Sequence, residues 1–178
     1  VLDFDKLPLT DYIEELKKEQ FCIDNNKKLA NHPFVMDLAS GTLSVNRLKK
    51  FVAEQYYVSR SDKKTFEVAI ELYSNKKKVD EKVLNFFGLI KTGMEFGTQY
   101  LKQLVLALKL TEEELEKYEP TVKTHCYPAY FSWLVTHSRP PVIVIAYLLN
   151  YPVWGELCGT IHSAILAYPT KYRLQKEA

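Results

Sequence analysis

Apolar residues recur along this chain at intervals of three and four, the period of a helix with one face sunk in a core. From Thr10 to Ala30, the residues Tyr12, Ile13, Leu16, Gln20, Ile23 and Lys27 fall along one line. That stripe fades toward its end, and Asn31-His32-Pro33 stops the helix. A short helical turn is expected from Phe34 to about Ala39, broken by Ser40-Gly41-Thr42. Ser44 is then placed to cap the next helix. In that helix Val45, Leu48, Val52 and Tyr56 share a face, and the pattern continues through Phe66, Ile70 and Tyr73 to Ser74. The cluster Lys76-Lys77-Lys78 follows, where a solvated turn is expected.

Residues 81–108 carry the cleanest period, from Val83, Phe86 and Phe87 through Ile90 and Met94 to Leu101, Leu104, Val105 and Leu108. Thr111 and Glu114 form a capping-box pair before a short acidic helix over Glu112 to Tyr118, which Pro120 ends. An aromatic segment around Tyr127, Tyr130, Phe131 and Trp133 comes next, and Arg139-Pro140-Pro141 separates it from the apolar run 142–149. A buried strand would fit that run alone. The pattern continues through Trp154, Leu157, Ile161 and Ile165, which favours a helix that is apolar all round and buried. Pro152 would kink it, for structural reasons or to make room for a ligand. From Pro169 the chain is polar and no closing element is expected. No pair of segments alternates as strands do. The reading is all-α, a single domain over 1–178 with about six or seven helices around one core.

Composition narrows the function classes. With 47% hydrophobic and 26% charged residues, the chain is globular in character. Lys and Arg number 24 against 22 Asp and Glu, so no basic footprint for nucleic acid is present. Glycine is scarce, and no GxGxxG or phosphate-binding loop occurs. The three cysteines, Cys22, Cys126 and Cys158, do not pair evenly, which fits reduced thiols and a cytoplasmic location. Cys158 falls in the helix expected to be buried, where core packing is the ordinary role. The longest apolar run has eight residues, against the ~20 of a membrane span, and the start VLDFDKLP lacks a signal core. No membrane association is expected.

Candidate chemistry is concentrated in Glu54-Gln55-Tyr56-Tyr57-Val58-Ser59-Arg60-Ser61-Asp62. Glu54, Tyr57 and Ser61 share one helix face, and Gln55, Val58 and Asp62 the next. A carboxylate beside a phenol on an otherwise apolar inner face can hold a polar heterocycle and move protons. An exposed face with Glu54 paired to Arg60 is the competing reading. Glu156, among Trp154, Leu157 and Ile161, is a second candidate for a buried carboxylate. His32, His125, His137 and His162 show neither i, i+4 pairing nor an ExxH or HExxH spacing, so no metal site is expected.

The stretch His32-Pro33-Phe34-Val35, then Gly41-Thr42-Leu43, Arg47 and Phe51…Tyr56-Tyr57 resembles the opening helices of the TenA/thiaminase II family. Tyr127 to Glu156, with Leu148-Leu149, resembles that family's central helices, so the resemblance covers about residues 30–160. It implies a heme-oxygenase-like helical bundle, assembled as a homo-oligomer (tetramer or dimer), with an enclosed pocket of tyrosines and carboxylates. It also implies hydrolysis of thiamin or its degraded aminopyrimidine at the pyrimidine methylene carbon, without a cofactor. Members of the family use an Asp to hold the pyrimidine, a Cys nucleophile and a late Glu as acid/base.

Residue by residue, the resemblance carries over in part. In the gapless register the pyrimidine-holding Asp falls on Gln55, whereas Glu54-Gln55-Tyr56-Tyr57 matches the family's Asp-x-Tyr-Tyr one residue earlier. The pocket tyrosine falls on Tyr127, and the nucleophilic Cys on Asn150, or on Tyr151 if the register slips. The final Glu and the closing helices would lie beyond Ala178. Without the thiol, the covalent route is lost, and Glu54 and Glu156 are the candidates to activate water. Gln55, Tyr57, Tyr127, Asn150 and Tyr151 are the candidates to bind a small heterocycle. Two alternatives stand beside the hydrolase. One is an oxidase on the same scaffold, similar to pyrroloquinoline quinone synthase. The other is a non-catalytic binding or regulatory protein. The di-iron pattern of other relatives is broken here by Ser61, Gly155 and Gly159.

Overall fold

The computed structural model describes residues 9–75 and 79–172. The lysine cluster 76–78, the first eight residues and the polar tail beyond 172 lie outside the described residues. The described chain is all-α, with no strand among the described residues. The described residues fall into two compact units, 9–43 with 145–168, and 44–75 and 79–144 with 169–172.

The first unit contains α1 (Leu9–Lys18), α2 (Gln20–Ala30) and α3 (Pro33–Ala39). The expected single helix over Thr10–Ala30 is broken at Glu19, whose backbone is extended at φ −58°, ψ 135°. Its N–H closes the last turn of α1 on the Leu16 carbonyl, and its carbonyl starts α2 by accepting from Ile23. The break explains the fading stripe. Tyr12 and Ile13 on α1 are buried, while α2 buries nothing and leaves Phe21 in solvent. At α3, His32 is the N-cap, its Nδ1 accepting from the Phe34 N–H at 3.2 Å, with Pro33 in the first turn. Gly41 then adopts φ +70°. A Cβ there would lie 2.6 Å from the Tyr168 ring, so only glycine fits both the backbone and the space.

The second unit is built on α4 (Val45–Ser74) and α5 (Glu81–Ala107), followed by α6 (Glu112–Glu116), α7 (Val122–His137) and later α9 (Pro169–Tyr172). The caps follow their sequence signals. Ser44 Oγ accepts from Arg47 N–H, and Thr111 and Glu114 close the capping box reciprocally. α4 packs against both α5 and α7. Phe66 is its central residue, fully buried between Phe87 on α5 and Phe131 on α7, with ring centroids 6.0 and 5.6 Å away. Tyr73 ends the row, its hydroxyl shared between the carbonyls of Val135 and Ser138 at 2.8 and 2.9 Å. Polar pairs fix the rotation of α4. Thr98 donates to Met94 O, so Ser59 donates to Thr98 across to α5. Thr65 donates to Ser61 O, so Ser132 donates to Thr65 from α7. The polar segment after Pro169 does form an element. Short α9 buries Tyr172 completely.

α8 (Pro140–Ala167) has its first five residues in the second unit and the rest in the first. It continues past Pro152 as a helix. Its most apolar 18-residue window has a mean hydropathy of 1.4, and 17% of that window is buried. By length and composition it could therefore cross a membrane, which the eight-residue run did not reveal. The expectation of a buried helix fails for the same stretch. Tyr151, Glu156, Cys158 and Leu166 are exposed. Tolerated residues such as Gly155, Gly159 and Thr160 interrupt the run without breaking the helix or its mean hydropathy.

Candidate functional site

The face that α4 turns to α6 and α7 carries the candidate chemistry. Glu54 is buried, 8% exposed, so the competing picture of an exposed Glu54–Arg60 pair does not hold. Its Oε1 accepts from the Tyr118 hydroxyl at 2.8 Å, and both oxygens accept from the Thr121 N–H, at 3.3 and 3.2 Å. Thr121 is the N-cap of α7, so the carboxylate ties α4 to the start of that helix, where the helix dipole favours a negative charge. Burial pushes the Glu54 carboxyl up, but hydrogen bonds from Tyr118, Thr124 and Thr121 outweigh it and hold the group below the usual range. Glu54 is thus ionised at neutral pH. It accepts hydrogen bonds or protons and does not donate them. Tyr118 answers in the opposite sense, its hydroxyl pushed up to about 12 by burial and by Glu54.

Tyr118 also lines a half-open groove of about 350 Å³ with Tyr56, Tyr57, Arg60, Lys64 and Pro120. Arg60 lies over the Tyr56 ring at 5.8 Å. Tyr57 reaches α7, where its hydroxyl and His125 Nδ1 share a hydrogen bond of 2.5 Å and the two rings stack at 5.6 Å. Gln55 is half-buried on the neighbouring face. The groove offers aromatic faces for a flat ring, two cations at its edge and an ionised carboxylate behind Tyr118.

Two turns beyond Glu54 on α4, roughly 12 Å along the axis, stands Asp62. It is 4% exposed, and its Oδ1 is buried without a hydrogen-bond partner. Burial pushes its carboxyl up to about 7. Tyr127 on α7 is shifted up as well, by burial first and by Asp62 second. The Tyr127 ring stacks on Phe131 at 6.2 Å.

The seven residues singled out from sequence divide between the units. Glu54, Gln55, Tyr57 and Tyr127 belong to the second, on α4 and α7. Asn150, Tyr151 and Glu156 belong to the first, on α8. There Asn150 is exposed, Tyr151 stacks on Tyr147 at 5.0 Å, and Glu156 lines an open groove of about 640 Å³ with Gly159, Thr160 and Ser163. Glu156 is exposed, not buried, because its face of α8 is left uncovered in this unit. Sequence reasoning missed Tyr118 and His125, which come from other helices and have no local signal. It placed Asp62 on the right face without seeing its burial. Among the described residues no cluster of three His, Cys, Asp or Glu could hold a metal ion.

Comparison with known proteins sets this geometry in context. The family model TENA/THI-4/PQQC matches residues 23–173. The solved structure of a TenA homologue protein from P. horikoshii OT3 superposes with a TM-score of 0.68 at 21% identity, covering 94% of this chain and 74% of that one. No curated protein sequence matches the chain.

Proposed function

The chain belongs to the TENA/THI-4/PQQC family, and from that premise we propose that it is a TenA-like hydrolase acting on an aminopyrimidine of thiamin metabolism. The observation that carries the reading is Glu54, held ionised by Tyr118 and Thr121 directly behind a tyrosine-lined groove. It sits in the Glu54-Gln55-Tyr56-Tyr57 stretch that resembles the family's Asp-x-Tyr-Tyr. In this reading the flat ring stacks on tyrosine faces of the groove, with Tyr57 oriented by His125. Gln55 and Tyr127 complete the binding residues. Water adds at the exocyclic methylene carbon, the carbon–nitrogen bond breaks, and ammonia leaves. Glu54 accepts the proton that water gives up by way of the Tyr118 hydroxyl, which lines the groove and donates to it.

The reading does not use Glu156, since its exposure removes the reason for assigning it a proton. Asn150, at the position where the family's nucleophilic Cys falls, leaves no thiol for a covalent step. Release of ammonia from the aminopyrimidine is therefore favoured over cleavage of intact thiamin. The reading further takes the protein as a cytoplasmic homo-oligomer that binds no nucleic acid. α8 is treated as a bundle helix and not a span, because Glu156 in its middle would cost about 2.5–3.5 kcal/mol in a bilayer centre.

The test is a turnover assay with 4-amino-5-aminomethyl-2-methylpyrimidine and with thiamin, read by mass spectrometry. Conversion of the aminopyrimidine to its hydroxymethyl product is expected, and Glu54→Gln should abolish it while the helical circular dichroism is kept. No conversion of either compound by the folded protein would overturn the hydrolase. A melting temperature raised by a compound that is not consumed would then support the binding protein.

A further inference from the structure

We propose that the tyrosine-lined groove carries a phosphate subsite formed by Arg60, Ser61 and Lys64, and so favours a flat N-heterocycle bearing a phosphate ester over the same ring bearing a free hydroxyl. The proposal rests on the functional reading above only in taking this groove as the ligand's seat. It goes beyond the aminopyrimidine, which carries no anionic group for these residues to hold.

The helix period places the three residues. Tyr57, Ser61 and Lys64 fall at i, i+4 and i+7 of α4, with Tyr56 and Arg60 at i, i+4 beside them. All five line the groove. Arg60 and Lys64 are exposed, and among the described residues neither has a carboxylate partner. Arg60 rests instead on the face of Tyr56, 5.8 Å from the ring centroid. A guanidinium held on a ring keeps its donor edge open and loses less freedom when it pairs with an anion. The Ser61 hydroxyl also makes no hydrogen bond among the described residues, although its carbonyl accepts from Thr65. Lys63 provides the contrast. It does not line the groove, and it pairs with Glu67 at 3.9 Å and Glu95 at 3.6 Å. The fold thus supplies carboxylates to the lysine outside the groove and leaves the two cations of the groove unmatched.

A guanidinium, an ammonium and a hydroxyl, all donors, suit the three oxygens of a phosphate monoester. The spacing sets the rest of the ligand. The tyrosines and the cations are one to two turns apart on α4, roughly 6–10 Å along its axis. A phosphate on a short arm from an aromatic ring spans that distance, with the ring on the tyrosine faces. The groove also selects against a bare anion. Glu116 stands on its α6 wall, and Glu54 lies ionised behind Tyr118. Both repel inorganic phosphate, whereas a phosphate carried by a stacked ring gains the ring's contacts as well.

The experiment is isothermal titration calorimetry on the full chain with two matched pairs, thiamin against thiamin monophosphate and pyridoxine against pyridoxine 5′-phosphate, and with inorganic phosphate alone. The quantity read is the affinity ratio of ester to alcohol, which cancels any general damage done by a substitution. In wild type the ratio should be about ten-fold or more in at least one pair. Arg60→Gln and Lys64→Gln should each bring it down toward one, while Lys63→Gln, which removes an equal charge outside the groove, should leave it as it was. A ratio near one in both pairs, an equal fall in Lys63→Gln, inorganic phosphate bound as tightly as the esters, or no binding of any probe would each overturn the proposal. The hydrolase is judged separately, by turnover of the aminopyrimidine. Turnover without ester preference would sink the phosphate subsite alone, and an Arg60- and Lys64-dependent preference without turnover would support the subsite and sink the hydrolase.

Discussion

Replacing Asp62 by Asn should stabilise the ligand-free protein, and by an amount that depends on pH. The carboxyl has an ordinary value of 3.8 and is raised to about 7 in the fold. The folded chain therefore holds this proton more tightly than the unfolded chain. Its contribution is most favourable below about pH 4 and is lost as the pH rises, levelling off above about pH 7. Ionising the buried group costs about 1.5 kcal/mol at pH 5 and about 4 kcal/mol at pH 8. An amide has the shape of the neutral acid and never ionises, so the variant escapes this cost. Urea unfolding followed by the fluorescence of Trp133 and Trp154 reads the difference directly. With a denaturant slope of about 2 kcal/mol per molar, the midpoint should rise by under ~1 M at pH 5 and by about 2 M at pH 8. Every other titrating group is common to both proteins and cancels. A midpoint difference that is the same at both pH values, or a variant less stable at pH 8, would refute the burial argument.

Two further predictions concern packing and backbone. Phe66→Ala removes the ring between Phe87 and Phe131 and should cost about 3–5 kcal/mol in the same unfolding assay. A loss below ~1 kcal/mol would mean that the α4–α5–α7 core closes elsewhere. Gly41→Ala must place a Cβ 2.6 Å from the Tyr168 ring at a φ of +70°. It should lower stability by about 1–3 kcal/mol, and an unchanged melting temperature would show that the turn readjusts freely.

The long helices were legible because their signals are local. The three-and-four spacing from Val45 to Tyr73 marks α4, and the period over 81–108 marks α5. Ser44, Thr111 with Glu114, and Pro33 mark helix starts through groups within a turn of the backbone they satisfy. The break at Glu19 carried no such mark, since glutamate is a good helix former and nothing in its neighbours forbids helix there. The family's motif residues were legible for the same reason as the caps: they lie close together on one element.

Burial and partnership were decided only when helices met. Glu54 and Asp62 are both acidic residues of one helix, and although the motif singles out Glu54, the chain alone does not show which of them finds donors in the fold. Tyr118 and Thr121, more than sixty positions away in the chain, make Glu54 an ionised anchor. No such partner reaches Oδ1 of Asp62, and its carboxyl rises to about 7. Glu156 reversed the expectation drawn from its apolar neighbours, since hydropathy records what a helix could bury and not what covers it. Period and capping depend on neighbours within four residues, so the amino-acid sequence by itself determined an all-α chain and where most of its helices begin. A carboxyl's charge depends on desolvation and on donors brought from distant segments, so only the tertiary structure decided which acid is held ionised by partners and which is buried with an oxygen left unpartnered.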